Sequence, residues 1–240
     1  NRYHLMLLGA WLLLSGSLFS QAFTLNPQGD PARWDGRFRR PGAGPNQILA
    51  LLADSSHLYA AGTASVFGGD PALQSFSRFD GEKWEDLNSD FNCTSCGNGQ
   101  QWALAQDDQG RIYVGGFFEG ANNVNGSVVT SAGVIRWNPA TGDWEALGLG
   151  VAGQVRALAI DEDTLYVGGN ITAAYNLTDT VSVQGIARYF IDSDTWASIP
   201  GGGLGSSVGS WNQGFGWVRA LAVGLNHELY IGAAFLDQAG

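Results

Sequence analysis

The sequence predicts an all-β fold in which one four-stranded unit is written several times over. Three observations carry this. First, short apolar runs alternate with turn signals, most legibly from Val155 to Ile199: Val-Arg-Ala-Leu-Ala-Ile, the polar turn Asp161-Glu162-Asp163-Thr164, Leu-Tyr-Val-Gly-Gly, Gly-Ile-Ala-Arg-Tyr (185–189), then Trp196. Second, the paragraph recurs. Tyr59, Tyr113, Tyr166 and Tyr230 stand in Leu-Tyr-Ala-Ala-Gly, Ile-Tyr-Val-Gly-Gly, Leu-Tyr-Val-Gly-Gly and Leu-Tyr-Ile-Gly-Ala, separated by 54, 53 and 64 residues. Arg78, Arg136 and Arg188 each precede an aromatic residue (Phe79, Trp137, Tyr189), and Trp84, Trp144 and Trp196 follow those aromatics by 5, 7 and 7 residues. Third, 35 glycines with 9 Trp and 12 Phe suit many short strands joined by tight turns. Self-similarity at a period of about 50 residues, four strands per unit, is the signature of a β-propeller.

The elements follow in order. Residues 1–22 read as a secretory signal peptide: Arg2 and His4, an apolar run from Leu5 to Phe19, and Ser20-Gln21-Ala22 as a cleavage site. A membrane anchor is the rival reading, but the run falls short of the ~20 residues a spanning helix needs. In the segment 23–47, Ala32-Arg33-Trp34-Asp35-Gly36 matches Ser77-Arg78-Phe79-Asp80-Gly81, the third strand of a unit and its turn. It is either a strand that closes the ring or a linker. The repeats occupy 48–240, as units at about 48–87, 102–147, 155–199 and 218–240. The last ends after its second strand. Three units and a part cannot close a ring, so the expected chain is a partial propeller belonging to a longer protein.

Each unit resembles a kelch repeat: an apolar run, a Gly-Gly pair, then an aromatic residue and a Trp at fixed separation. Gly133-Val134-Ile135-Arg136-Trp137-Asn138-Pro139-Ala140-Thr141-Gly142-Asp143-Trp144 looks especially like one. The fuller form, with Arg-Ala-Leu-Ala before the Tyr, is similar to repeats of secreted and cell-surface propellers of the cortical cell-polarity marker type and of bacterial extracellular proteins. The resemblance implies the fold and about six or seven blades in the parent. It implies no single function, because kelch-like propellers host oxidases, adaptors and adhesins alike. In such a blade the first strand is innermost, where small Ala-Leu-Ala residues fit the crowding. The Gly-Gly pair marks close backbone approach, and the fourth-strand Trp packs between blades. The recurring Arg is expected to bond carbonyls of a neighbouring strand; a ligand-binding ring of arginines is the sharper alternative.

The net charge of −10 argues against a nucleic-acid footprint, which needs a basic face. It suits an extracellular protein. Cys93 and Cys96, the only cysteines, are expected to form a disulfide that shapes the loop after the first unit. Asp107-Asp108-Gln109-Gly110 and Asp161-Glu162-Asp163 look like pieces of calcium loops, but neither completes the pattern, and turn chemistry explains both. No catalytic set, metal site or cofactor is indicated. His4, His57 and His227 form no cluster in sequence, and no Asp stands out as half of a carboxylate pair. Asn92, Asn125, Asn170 and Asn176 open glycosylation sequons, which matter only in a eukaryotic host.

Two functions fit. One is a non-catalytic secreted or surface propeller that binds a protein or a glycan. The other is a secreted hydrolase or oxidase whose catalytic residues lie in further blades. The regular repeats favour binding. The short turns 54–57, 107–110, 161–164 and 138–143 should lie at one end of the strands. The long connections 63–74, 88–101, 117–132, 170–184 and 200–217 should gather at the other. They carry Phe91, Phe118, Tyr175, Trp211 and Phe215 among Asn, Ser and Gly, the mixture recognition surfaces use. Those five aromatics are the expected ligand contacts.

Overall fold

The structure, a computed structural model, describes residues 47–63, 75–87, 90–94, 99–200 and 217–233. They belong to one compact unit, Gly42–Gly240. The expected signal peptide (1–22), the Arg33-Trp34 segment, Cys96, Trp211 and Phe215 lie outside the described residues. Within them every regular element is a β-strand, and no helix is long and apolar enough to cross a membrane.

The first sheet runs β1 (Ile48–Ala53), β2 (Leu58–Gly62), β3 (Phe76–Phe79) and β4 (Trp84–Asp86), neighbour to neighbour and antiparallel. Then come β5 (Phe91–Asn92), β6 (Gln100–Gln106), β7 (Ile112–Phe117), β8 (Gly120–Asn122), β9 (Val128–Thr130), β10 (Val134–Asn138) and β11 (Asp143–Glu145). Of these, β6-β7-β10-β11 repeat the four-stranded order, while β5-β8-β9 form a small sheet of their own. The third unit comprises β12 (Gly150–Asp161), β13 (Thr164–Tyr175), β14 (Thr180–Ser182), β15 (Ile186–Phe190) and β16 (Thr195–Ser198), in the order β12-β13-β15-β16 with β14 on the extension of β13. β17 (Val218–Val223) and β18 (Leu229–Ala233) pair alone among the described residues. The first strands adjoin in succession: β1 beside β6, β6 beside β12, β12 beside β17.

Two apolar cores lie between successive sheets. Tyr59, Phe76, Ile112, Ile135 and Trp144 join the first and second; Tyr113, Leu147, Val155, Tyr189 and Trp196 join the second and third. The Gly-Gly pair explains how the sheets come so close. A Cβ on Gly116 or Gly169 would overlap the carbonyl oxygen of Gln100 or Gln154 across the hairpin, and a Cβ on Gly115 or Gly168 would sit 2.5 Å from a methyl of Val155 or Val218 on the next sheet. One glycine of the pair serves its own hairpin and the other serves the neighbouring sheet.

Three expectations need correction. The connections 117–132 and 170–184 are hairpins rather than loops, built by β8–β9 and by the long β13 with β14. The third unit begins at Gly150, because Gly150–Ala152 pair with Ala173–Tyr175. The recurring Arg bonds a carboxylate on the fourth strand rather than carbonyls: Arg78 pairs with Glu85 and Arg136 with Glu145, each at 2.7 Å. Arg188 faces Ala197 in the same register and lies over the Phe190 ring, so the third copy has no such carboxylate.

The hairpin tips are fastened by a device that repeats. Asn123 accepts the Trp144 N–H at 2.6 Å and donates to the Trp144 carbonyl. Asn176 does the same to Trp196, accepting its N–H at 2.7 Å. Each amide bonds both backbone groups of an outer-strand Trp. Asn176→Ala is expected to lower stability by about 1–2 kcal/mol, the effect of orphaning such groups, read as a shift of the urea midpoint. An unchanged midpoint would show that water replaces the clamp.

Candidate binding surface

Each first strand breaks register at the same place, and the longer β12 breaks it a second time at Ala152/Gly153. The partners on either side are Ile48↔Gly62 and Ala50↔Ala61, Gln101↔Gly116 and Ala103↔Gly115, Val155↔Gly169 and Ala157↔Gly168, Val218↔Ala233 and Ala220↔Gly232. One residue is therefore extra in each: Leu49, Trp102, Arg156 and Arg219. A bulge bends its strand and re-aims the unpaired residue. The Ala-Leu that follows repeats from unit to unit, while the extra residue is Leu, Trp, Arg and Arg in turn.

The last three converge. The Arg156 guanidinium lies 3.5 Å from the centre of the Trp102 ring and 4.9 Å from that of Trp217, the residue just before β17. Arg219, exposed, lies 5.4 Å from the same Trp217 ring. Arg156 donates from Nη2 to Gln154 Oε1 at 2.7 Å, while its Nε is buried without a partner. Arg78, Arg111 and Arg136 hold carboxylates; among the described residues Arg156 and Arg219 hold none. Burial, and then repulsion from Arg219, push the Arg156 pKa down. Two guanidinia beside shared indoles, without a counter-charge, form a positive aromatic spot in a chain of net charge −10. Trp102 and Trp217 stand where the 88–101 and 200–217 connections enter the first strands, so the spot is at the long-connection end.

The opposite end is closed by turn chemistry. Asp107 accepts the N–H groups of Gln109 and Arg111 on Oδ1, and Arg111 Nε at 2.6 Å and the Tyr113 hydroxyl at 3.0 Å on Oδ2. Its oxygens are taken by the turn itself. The buried Tyr113 hydroxyl has its pKa pushed up to about 12, by burial first and with help from the Asp107 charge. A cavity of about 280 Å³ opens beside Asp107, Asp108, Glu162, Asp163 and Asp192. His227 Nδ1 contacts Asp161 Oδ1 at 2.7 Å, tying the β17–β18 turn to the β12–β13 turn.

Asp54 gives a pH signature at this end. Burial would raise its pKa, but hydrogen bonds from the Ser56 and His57 amides outweigh that and lower it from 3.8 to about 2. A depressed acid contributes stability above its unfolded pKa and loses it as pH falls through the folded one. Stability should therefore decline between pH 3.8 and about 2 partly through this residue. In Asp54→Asn that portion of the decline should vanish; a parallel decline in both proteins would contradict it.

The predicted contact residues divide. Phe91 and Phe118 are buried, 8 % and 3 % exposed, with ring centroids 5.0 Å apart, and Phe91 packs edge-on against Trp144. They are the core of the β5-β8-β9 sheet, not ligand contacts: apolar rings in Gly- and Asn-rich connections found an interior to fill. Tyr175 is half-buried at the end of β13. Val124 and Leu177, each 74 % exposed, project from the hairpin tips instead. A groove of about 490 Å³ runs beside Asn92, Thr94, Glu119, Asn122, Val128 and Thr130. Of the sequons, Asn125 is exposed at the β8–β9 tip, Asn170 is buried in β13, and Asn176 holds Trp196. The bulge row escaped sequence reading. Aligned on the Gly-Gly pairs, the first strands share the Ala-Leu that follows the bulge (Ala50-Leu51, Ala103-Leu104, Ala157-Leu158, Ala220-Leu221), while the bulge position itself holds Leu49, Trp102, Arg156 and Arg219.

No family model matches the chain, and no curated protein does. Among solved structures it is similar to the extracellular domain of B. thetaiotaomicron BT4673, a protein named as a hybrid two-component system, at 14 % identity and a TM-score of 0.48, over 80 % of this chain and 20 % of that one. A second structure of that domain, named there as a one-component system, matches at 16 % identity with a TM-score of 0.52, over 84 % of this chain and 22 % of that one. The chain thus spans about a fifth of the proteins it resembles, and the likeness at this identity is one of fold.

Proposed function

We propose that the chain is part of a secreted or surface-exposed, kelch-like β-propeller that binds a protein or glycan without catalysis, through the face where its long connections gather. The observation that carries this is the bulge row. A repeating scaffold holds four equivalent positions, and the side chains there run from apolar Leu49 through aromatic Trp102 to the cationic Arg156 and Arg219. Function placed on a rigid repeated frame commonly takes this form, with constant packing beneath and variable contacts above. The extracellular setting of the neighbour of similar fold accords with the reading, as do the apolar run of residues 5–19 and the acidic composition. The predicted Cys93–Cys96 bridge would then form in an oxidising compartment.

The test is a glycan and extracellular-protein binding array with the full-length mature protein, followed by recovery of the captured ligand. Capture of a ligand recovered chemically unchanged is expected. Turnover of the ligand, or capture of nothing, would overturn the proposal.

A further inference from the structure

From the cluster of Trp102, Arg156, Trp217 and Arg219 we infer a binding site for an acidic oligosaccharide, a chain of hexuronic acid residues. The inference rests on the binding function proposed above and names the ligand class for it. Three features select that class.

The charge is the first. Arg156 and Arg219 stand over the same Trp217 ring, at 4.9 and 5.4 Å, with no carboxylate on either among the described residues. Arg78, Arg111 and Arg136, by contrast, are neutralised by carboxylates of the fold. Two uncompensated guanidinia repel each other, and an anion between them relieves that repulsion. The planar fork of a guanidinium suits a carboxylate in particular.

The rings are the second. Trp102 and Trp217 flank the cations, and Trp102 is only half-buried although large and apolar. An indole is a large apolar plate, and an area of it left open by the guanidinium can stack on the C–H face of a pyranose ring. A hexuronate offers a carboxylate and a C–H face on every residue, so successive sugars can meet successive side chains of the row. An acidic peptide supplies the carboxylates but not the flat apolar faces. A small organic acid supplies one contact and no repeat.

The third is position. Three of the residues, Trp102, Arg156 and Arg219, are re-aimed by the same bulge on strands that adjoin in order, β6 beside β12 and β12 beside β17, and Trp217 enters the last of them. The contacts are thereby set on successive strands, as an extended repeating ligand requires.

The experiment titrates the full-length mature protein, by calorimetry and by tryptophan fluorescence, with an oligomer of galacturonic acid. Its fully methyl-esterified form and poly-glutamate are the comparisons. The acid oligomer is expected to bind and to change the indole emission. The methyl ester, with the same rings and no charge, should bind about tenfold or more weaker, the effect of losing charged hydrogen bonds. Arg219→Ala should weaken binding about tenfold with an unchanged melting curve, because the side chain is exposed. Arg156→Gln should weaken it further, and raised salt should weaken it in the wild type. Equal binding of the methyl ester, tighter binding of poly-glutamate, or an Arg219→Ala variant that binds as the wild type does would each overturn the inference. Capture of a neutral glycan or a protein on the array, with no uronate binding, would overturn this inference and leave the binding function standing. An empty array would overturn both.

Discussion

Gly116→Ala and Gly169→Ala are expected to destabilise the protein by about 3 kcal/mol each, at the upper end of what overpacking does. Neither glycine has positive φ, so the effect is not backbone strain. It comes from the carbonyl oxygens of Gln100 and Gln154, which occupy the space of the missing Cβ. Those carbonyls stand there because the bulge draws the first strand in against the second. Backbone cannot step aside as a side-chain tip can. The other glycine of each pair should be milder: a Cβ on Gly115 meets a Val155 methyl at 2.5 Å, and a Val155→Ala change in the same chain should restore part of the loss. Gly142→Ala is the control. It has φ +75 and nothing within 4 Å, so only the left-handed backbone term of about 1 kcal/mol applies. Urea denaturation of the four proteins gives the ranking. A Gly116→Ala protein as stable as Gly142→Ala would refute the account of the bulges.

Trp196→Ala should remove about 3–5 kcal/mol, as for other large buried aromatics. Trp196 is 3 % exposed, packs on Tyr189 at 4.9 Å between ring centroids, and donates from its indole to the Leu147 carbonyl at 2.8 Å. That bond links the fourth strand of the third unit to the end of the second. Trp196→Phe keeps most of the apolar contact and removes the indole bond, while the Leu147 carbonyl still accepts the Gly150 N–H, so about 1 kcal/mol should be lost. Trp84 occupies the same place in the first sheet but is only half-buried, and its replacement by Ala should be less damaging. If Trp84→Ala proved as harmful as Trp196→Ala, inter-sheet burial would not be what these residues supply.

What the sequence revealed and what it hid divide along a physical line. Tyr113, the Gly115-Gly116 pair, Trp137 and Trp144 have counterparts at Tyr166, Gly168-Gly169, Tyr189 and Trp196, so their spacing recurs and strands could be read from it. The same regularity made the turns legible: Asp54, Asp80 and Asp107 each cap the backbone N–H groups that follow them. The hairpins of the long connections were missed because Gly, Asn and Ser masked short β-prone runs, Val128-Val129-Thr130 and Thr180-Val181-Ser182. Phe91 and Phe118 were misplaced for a related reason: nothing local tells an aromatic that faces a ligand from one that builds its own small core. The partners of the recurring arginines, Glu85 and Glu145, lie across a strand pair, and only the register brings them opposite. The bulge row was hidden most deeply. A register break has no residue signature of its own, and the side chains it presents run from Leu49 through Trp102 to two arginines.

The central claim is that ligand binds at the long-connection end, on the bulge row. The most direct measurement compares two double variants of the full-length protein for capture of whatever the wild type retains: Trp102→Ala with Arg156→Gln, and Asp108→Ala with Glu162→Ala at the short turns. The account predicts that the first loses capture while its β-sheet circular dichroism is kept, and that the second captures as the wild type does. Capture lost in the second and kept in the first would contradict it.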